Sequence, residues 1–409
     1  MVYYPYATAN MKIAFISFWS CPLERLGVLA SGGMNVYVIN LADALGKLGH
    51  HVDIYTRTHL STHNRITKIN DMVRVIHISN SGFEMKDKVN DFALKVIRFQ
   101  KENNLTYDYI HAHYYHSATA AIQIKKQNNT PVFVTFHTLG IMKEKYIHIR
   151  DQNRINEEIK ICAEATGIIA STEIEKADIV NNYKVGNNKI FVVSPGVNHK
   201  IFKKRSQLLS RKKLHLPLKK KIILFVGRID PVKGLEFLIN AIHDLTVKYP
   251  AFKNNFQVLL IGEDIKSRHF WQNSEVLKIK GLILSKELCC CIKFLGNKPH
   301  NLLPYYYSAS DVVVIPSVYE SFGLVVLEAM ACGTVVVASE VGGLKYLIKD
   351  KIDGRLFVSG DIKELGKTLM EVLSNPNKRQ KIGDRAMETS RQYCWEKQAH
   401  LILNIYKKI

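Results

Sequence analysis

Glu320 and Glu328, with seven residues between them, flank Gly323 in the stretch 311–343, DVVVIPSVYESFGLVVLEAMACGTVVVASEVGG. Val312 to Ile315 is a short β-branched run closed by Pro316, which predicts a strand buried on both faces. Leu324, Leu327, Glu328 and Ala331 then fall at helical spacing, Gly333 stops the helix, and Val335 to Ala338 predicts the next strand. This is one βαβ unit with a carboxylate on either side of a helix start. Free amides and partial positive charge at such a start let Phe322, Gly323 and Leu324 hold phosphate or sugar oxygens, while the carboxylates accept hydrogen bonds from hydroxyls. Equally, Glu320 is the acidic residue that a helix start favours, and Glu328 a solvated or core-paired side chain. The stretch alone leaves both readings open.

Other residues of the right chemistry stand where strands end, the place where open α/β sheets bind ligands. Gly32-Gly33 follows a first strand over 12–18 and precedes an amphipathic helix over 36–48, so backbone can approach a ligand closely there. Arg228 and Lys233 lie in the loop 227–234 after a strand over 222–226, adding two cations to a helix start. Asp108 to Tyr114 and Pro131 to Phe136 are strands that run into His113-Tyr114 and His137-Thr138. His111, His113 and His116 raise a metal site, but carboxylate partners and helical His spacing are lacking. No Asp-x-Asp occurs either, so no metal or other cofactor is expected.

These residues need elements to hold them. A chain of 409 residues suggests two domains of roughly 200 residues, each with its own core. Further strands are expected at 52–56, 73–78, 163–171, 190–193, 258–262 and 292–295, with helices at 89–101, at the segment bearing Glu173 and Glu175, and at 395–409. Strands alternate with helices in both halves, which predicts an α/β fold of two Rossmann-like domains facing a cleft. The expected bounds are 1–200, 201–394 and a final helix, 395–409.

Bulk properties exclude some functions. No apolar run approaches the roughly 18 residues of a membrane span, and the first ten residues lack the charged and apolar regions of an export signal. Seven cysteines, three of them consecutive at 289–291, suit a reducing cytoplasm and read as buried filler of a helix or strand. The formal charge is +21, concentrated in nine cations between Lys203 and Lys221 with no carboxylate among them. That run reads as a solvated linker face or as a contact for an anionic membrane. No aromatic RNA motif or helix-turn-helix accompanies it, so nucleic acid is not an expected partner.

The pattern PSxxESFGLxxLEAMACGxxVVAS around Glu320 and Glu328 resembles the signature of the retaining glycosyltransferases of family GT4, with Thr334 where Pro is usual. GGMNVYVINLADALGKLGHHVDIYTR, YDYIHAHYYHS, VTFHTLG, RINEE and VGRIDPVKG resemble the branch that includes D-inositol-3-phosphate glycosyltransferases and sucrose-phosphate synthases. The resemblance spans almost the whole chain. It implies the GT-B arrangement, with the last helix crossing back onto the first domain, and a nucleotide sugar, most simply a UDP-sugar, as donor. It further implies that Glu320 and His137 lie beside the reacting sugar, Glu328 holds the ribose, and Arg228, Lys233 and Gly33 face the diphosphate. Lys298 would meet the base. Asn35, Lys88, Tyr114, Thr138 and Arg154 would hold the acceptor, a phosphorylated polyol or sugar being preferred over a lipid or glycan at a membrane. A sugar-nucleotide epimerase or phosphorylase of the same architecture, and a noncatalytic basic surface-binding protein, are the competing readings.

Overall fold

The computed structural model describes residues 10–24, 27, 31–59 and 64–408. The first ten residues, read for an export signal, and Ile409 of the last helix lie outside these, Asn10 excepted. Fourteen strands among the described residues form two sheets. The first holds β1 (Lys12–Ile16), β2 (His51–Arg57), β3 (Ile66–Lys68), β4 (Val73–Ile78), β5 (Tyr109–His113), β6 (Val132–Thr135), β7 (Gly167–Ala170) and β8 (Ile190–Val192). The second holds β9 (Lys221–Val226), β10 (Phe256–Ile261), β11 (Ile292–Gly296), β12 (Val312–Ile315), β13 (Val336–Ser339) and β14 (Arg355–Phe357).

The strand orders are β3-β4-β2-β1-β5-β6-β7-β8 and β11-β10-β9-β12-β13-β14. All pairings are parallel except the edge pair β3 and β4. Parallel strands need helices on both faces, and each sheet accordingly has two apolar cores, one per face. Each order reverses once, between β1 and β5 and between β9 and β12. The crevices at those reversals receive the loops after β1, β5, β9 and β12, which carry Gly33, Tyr114, Arg228, Lys233 and Glu320, while His137 and Thr138 follow β6 and Lys298 follows β11. This is the GT-B architecture expected of the chain.

The final helix, Trp395–Lys407, crosses back as expected. It lies against the Gly33–Lys47 helix, with Trp395, Ala399, Ile402, Leu403 and Tyr406 sharing a core with Tyr37, Val38, Leu41 and Leu45. Two segments connect the sheets, and they touch: Val197 bridges to Cys394, and the Val197 amide donates to the Tyr393 carbonyl at 2.7 Å.

Several expectations are corrected. The strand placed at 163–171 is only β7, because Ala163 and Glu164 complete the helix Gln152–Glu164. The short edge strand β3 has a single paired side and little apolar content, and the sequence did not reveal it. Cys289 and Cys290 are exposed in a turn before β11, and only Cys291 is buried. Arg211, read as part of a solvated run, is buried: its guanidinium donates to the carbonyls of Ala309, Leu218 and Lys220 and to Asp311 at 2.8 Å. It ties the start of β9 to the start of β12, since Asp311 also accepts from the Ile222 amide.

Candidate active site

The two domains enclose a cavity of about 440 Å³ at the C-terminal ends of their strands. On the second-domain side, Gly323 takes a φ of 101° and caps the helix Leu324–Ala331. A side chain there would be strained, so the tight entry from Glu320 depends on glycine. Gly342 and Gly343 support the loop from behind. A Cβ on Gly343 would lie 2.3 Å from the Ser321 carbonyl oxygen and 2.4 Å from the Phe322 Cα, and the Gly343 amide donates to the Glu320 carbonyl at 2.8 Å. The amides that open this helix therefore face the cavity in a fixed position.

The Gly33–Lys47 helix of the first domain begins at the same cavity, and a Cβ on Gly33 would come within 3.4 Å of Leu324. Two helix N-termini thus share one space, and each favours an anion. Lys233 reaches in and pairs with Glu320 at 2.6 Å, both partly exposed to the cavity. Arg228 also lines it, half exposed, with Asp230 no nearer than 3.9 Å. Lys298 lines the wall after β11. Glu328 sits on the helix interior and is buried, accepting from Tyr307 Oη and paired with His300 Nε2, each at 2.8 Å. Burial lowers the His300 pKa, but the Glu328 charge and hydrogen bond outweigh it, so His300 titrates above its ordinary value.

On the first-domain side, His137 takes a φ of 62° at the end of β6 and lines the cavity. Burial pushes its pKa down to about 3, so the ring is neutral. Its Nε2 lies 3.2 Å from His113 Nδ1, and Tyr37 meets the ring edge-on at 4.9 Å. His111 stacks on His113 at 4.5 Å and is held by Tyr406 Oη at Nδ1 and Thr135 Oγ1 at Nε2. His116 instead stacks on Trp19. No group of three or more His, Cys, Asp or Glu side chains able to hold a metal occurs among the described residues.

Tyr114 and Thr138 both line the cavity. Arg154 joins them from behind: its Nη2 donates to the Thr138 carbonyl at 2.6 Å and Oγ1 at 3.1 Å, and its guanidinium lies 5.0 Å from the Tyr114 ring. The Arg154 side chain is only 3% exposed, and Nε donates to the fully buried Glu158 at 2.7 Å. Glu158 in turn accepts from the Gly140 amide and Tyr183. Arg154 thus stays charged, is paired by Glu158, and positions Tyr114 and Thr138.

Two family models match the chain, "Glycosyltransferase Family 4" over residues 31–201 and "Glycosyl transferases group 1" over residues 206–389. The D-inositol 3-phosphate glycosyltransferase of Corynebacterium urealyticum is 33% identical over 98% of this chain and 96% of its own length. The chain belongs to glycosyltransferase family 4. The same-named protein of Corynebacterium glutamicum is 30% identical over 97% of this glycosyltransferase, which covers 96% of that relative. The solved sucrose-phosphate synthase of Thermosynechococcus elongatus superposes with a TM-score of 0.89 at 29% identity, covering 98% of this chain and 99% of its own. Anabaena HepE, solved with UDP and glucose, shares the fold with a TM-score of 0.79 at 19% identity, covering 98% of this chain and 100% of its own.

Within this glycosyltransferase, Glu320, His137, Arg228, Lys233, Gly33, Lys298, Phe322, Gly323, Leu324, Glu328, Tyr114 and Thr138 all border the one cavity. Three acceptor residues inferred from sequence do not. Asn35 is buried and donates to Ser20 Oγ at 3.0 Å and the Cys21 carbonyl at 2.5 Å, holding the loop after β1. Lys88 belongs to the first turn of the helix Met85–Glu102, outside the cavity, because the helix expected from residue 89 already begins at Met85. Arg154 stands behind the wall, as described. The cation that does line this side is Lys143, on the helix Gly140–Ile147, where burial and the charge of Arg154 lower its pKa. Its place five residues after Thr138 was a signal available in the sequence. His300 and Tyr307 were not recognisable, since only the fold brings them to Glu328.

Proposed function

We propose that this family 4 enzyme is a retaining hexosyltransferase that moves a hexose or N-acetylhexosamine from a UDP-sugar to a hydroxyl of a phosphorylated polyol or sugar. The observation that carries the proposal is the polarity of the cavity. Two helix N-termini, Arg228 and Lys233 border it, and Lys143, Tyr114 and Thr138 line its first-domain wall, near enough to Arg228 to feel its charge. The first set suits a diphosphate that gains charge as it leaves. These groups already supply the positive charge that a metal would bring, so activity is expected to survive a chelator. A second cation with two hydroxyls suits a second anion, and a dianionic phosphate fits them. The names of the relatives point the same way, since inositol 3-phosphate and sucrose phosphate both carry one. UDP is favoured because Anabaena HepE was solved with UDP and UDP-glucose and a further neighbour with UDP-2-fluoro glucose, against starch synthase IV solved with ADP.

In this mechanism Glu320, held by Lys233, and neutral His137 orient the donor sugar through its hydroxyls. Neither acts as a covalent nucleophile. As the glycosidic bond to the diphosphate breaks, its electron pair goes to the phosphate oxygen, and that oxygen takes the acceptor proton on the same face. The new bond keeps the donor's anomeric configuration. Glu328, fixed by Tyr307 and His300, accepts from the ribose hydroxyls. All seven cysteines are free thiols, which suits a reducing compartment such as the cytoplasm.

A lipid acceptor is disfavoured by position. The basic run lies beside the starts of β9 and β12, and the cavity lies at their far ends, about 20 Å away by the length of β9. The test is a transfer assay with UDP-sugars and inositol phosphate or hexose phosphates beside their unphosphorylated forms, followed by NMR of the product. Retention with a clear preference for the phosphorylated acceptor is expected. Inversion of the anomeric centre, tighter binding of GDP than UDP, or no advantage from phosphate would each overturn the corresponding part. Conversion of UDP-sugar without any acceptor would favour an epimerase.

A further inference from the structure

The segment 203–221 carries nine cations, and the fold uses only two of them in ion pairs: Arg211 with buried Asp311, and Lys204 with Asp384. Lys203, Arg205, Lys212, Lys213, Lys219, Lys220 and Lys221 have no ion-pair partner among the described residues. Arg205 and Lys213 instead flank the Tyr305 ring, at 4.7 and 4.1 Å. Three leucines stand exposed among these charges: Leu208 at 52%, Leu209 at 65% and Leu218 at 49%. The short helix Gln207–Lys213 turns Ser210 and Arg211 inward, so its outward face is leucine edged with lysine.

We infer that this face docks on an anionic lipid surface and tethers the enzyme there without delivering lipid to the cavity. Exposed leucines ringed by unpaired cations match an interface of acyl chains below anionic headgroups. Nucleic acid would satisfy the charges but offer the leucines nothing. The docking face adjoins the strand starts of the second sheet, and the cavity opens at the strand ends, so a docked enzyme keeps its active site toward the aqueous phase.

The experiment is sedimentation of the full chain with phosphatidylcholine vesicles, with and without phosphatidylglycerol, at low and physiological salt. Binding is expected only with phosphatidylglycerol and is expected to weaken with salt. Lys212→Gln with Lys219→Gln should weaken it about 25-fold, at about fivefold per basic residue. Leu208→Gln with Leu209→Gln should weaken it at least about tenfold through lost apolar burial. Turnover on a soluble acceptor should stay unchanged in all variants, which also shows that they fold. Equal binding to neutral vesicles would overturn the inference. So would undiminished binding by the leucine variant, and if an oligonucleotide then competes with the vesicles, the face is a polyanion site instead.

Discussion

Replacing Glu328 with Gln separates what its charge does from what its shape does. In the native site one carboxylate oxygen faces His300 Nε2 and the other the Tyr307 hydroxyl, each at 2.8 Å. Glutamine can keep both contacts in one orientation only, with its carbonyl toward Tyr307 and its amide donating to a neutral His300. The fold should therefore survive, at a cost of about 1 kcal/mol for the lost charge assistance. Ribose hydroxyls that donate to the carboxylate lose a charged acceptor, typically worth about 1.5–3 kcal/mol, so the UDP dissociation constant should rise about 10- to 150-fold. Calorimetric titration with UDP measures this, and chemical unfolding at two pH values supplies an internal check. His300 titrates above its ordinary value in the native fold, so its contribution to stability is complete below pH about 6.5 and is lost as pH rises through the raised value. In the variant burial and the amide hydrogen bond both favour the neutral ring, the His300 pKa is expected to drop below the ordinary value, and its contribution instead is lost as pH falls. The slope of stability against pH near neutrality should reverse its His300 component. Unchanged UDP affinity with a collapsed kcat would refute the assignment of Glu328 to the nucleotide.

Three further outcomes are expected. Glu320→Ala should lower kcat about 100-fold or more, the scale of losing an oriented polar group beside the reacting centre, with UDP affinity changed less than tenfold; an effect confined to acceptor KM would refute the role. Lys143→Ala should raise KM for a phosphorylated acceptor about tenfold or more and leave the unphosphorylated form unaffected, as initial rates on both will show. Tyr406→Phe removes the 2.7 Å hydrogen bond to His111 and should cost about 1–3 kcal/mol in unfolding free energy, with turnover of the folded enzyme intact.

The fold was largely legible because its signals are local. Val312 to Ile315 and Val335 to Ala338 are apolar throughout and buried throughout, and Gly323 and Gly333 mark the helix between them with positive φ. Cavity-lining positions carried by one loop were legible for the same reason, as at Gly33, Glu320 and Lys233. Placements that the sequence did not show required distance. Arg154 and a phosphate-binding arginine look the same in sequence until Glu158 and Tyr183 are seen to enclose it. Arg211 reads as one more surface cation until Asp311, a hundred residues on, is placed beside it. Lys88 failed differently, because Met85 and Asp87 start a helix earlier than the apolar period suggests.

The return of the last helix to the first domain bears on the order in which the chain is made. Tyr37, Val38, Leu41 and Leu45 leave the ribosome early, but their covering residues Trp395, Ala399, Ile402, Leu403 and Tyr406 are among the last to be joined. At about 5–20 residues per second, the apolar groove on the Gly33–Lys47 helix stays bare for roughly 10–40 s while the whole second domain is synthesised. The first domain therefore completes this part of its core last, and a chain cut short before residue 395 is expected to keep that groove exposed and to aggregate through it.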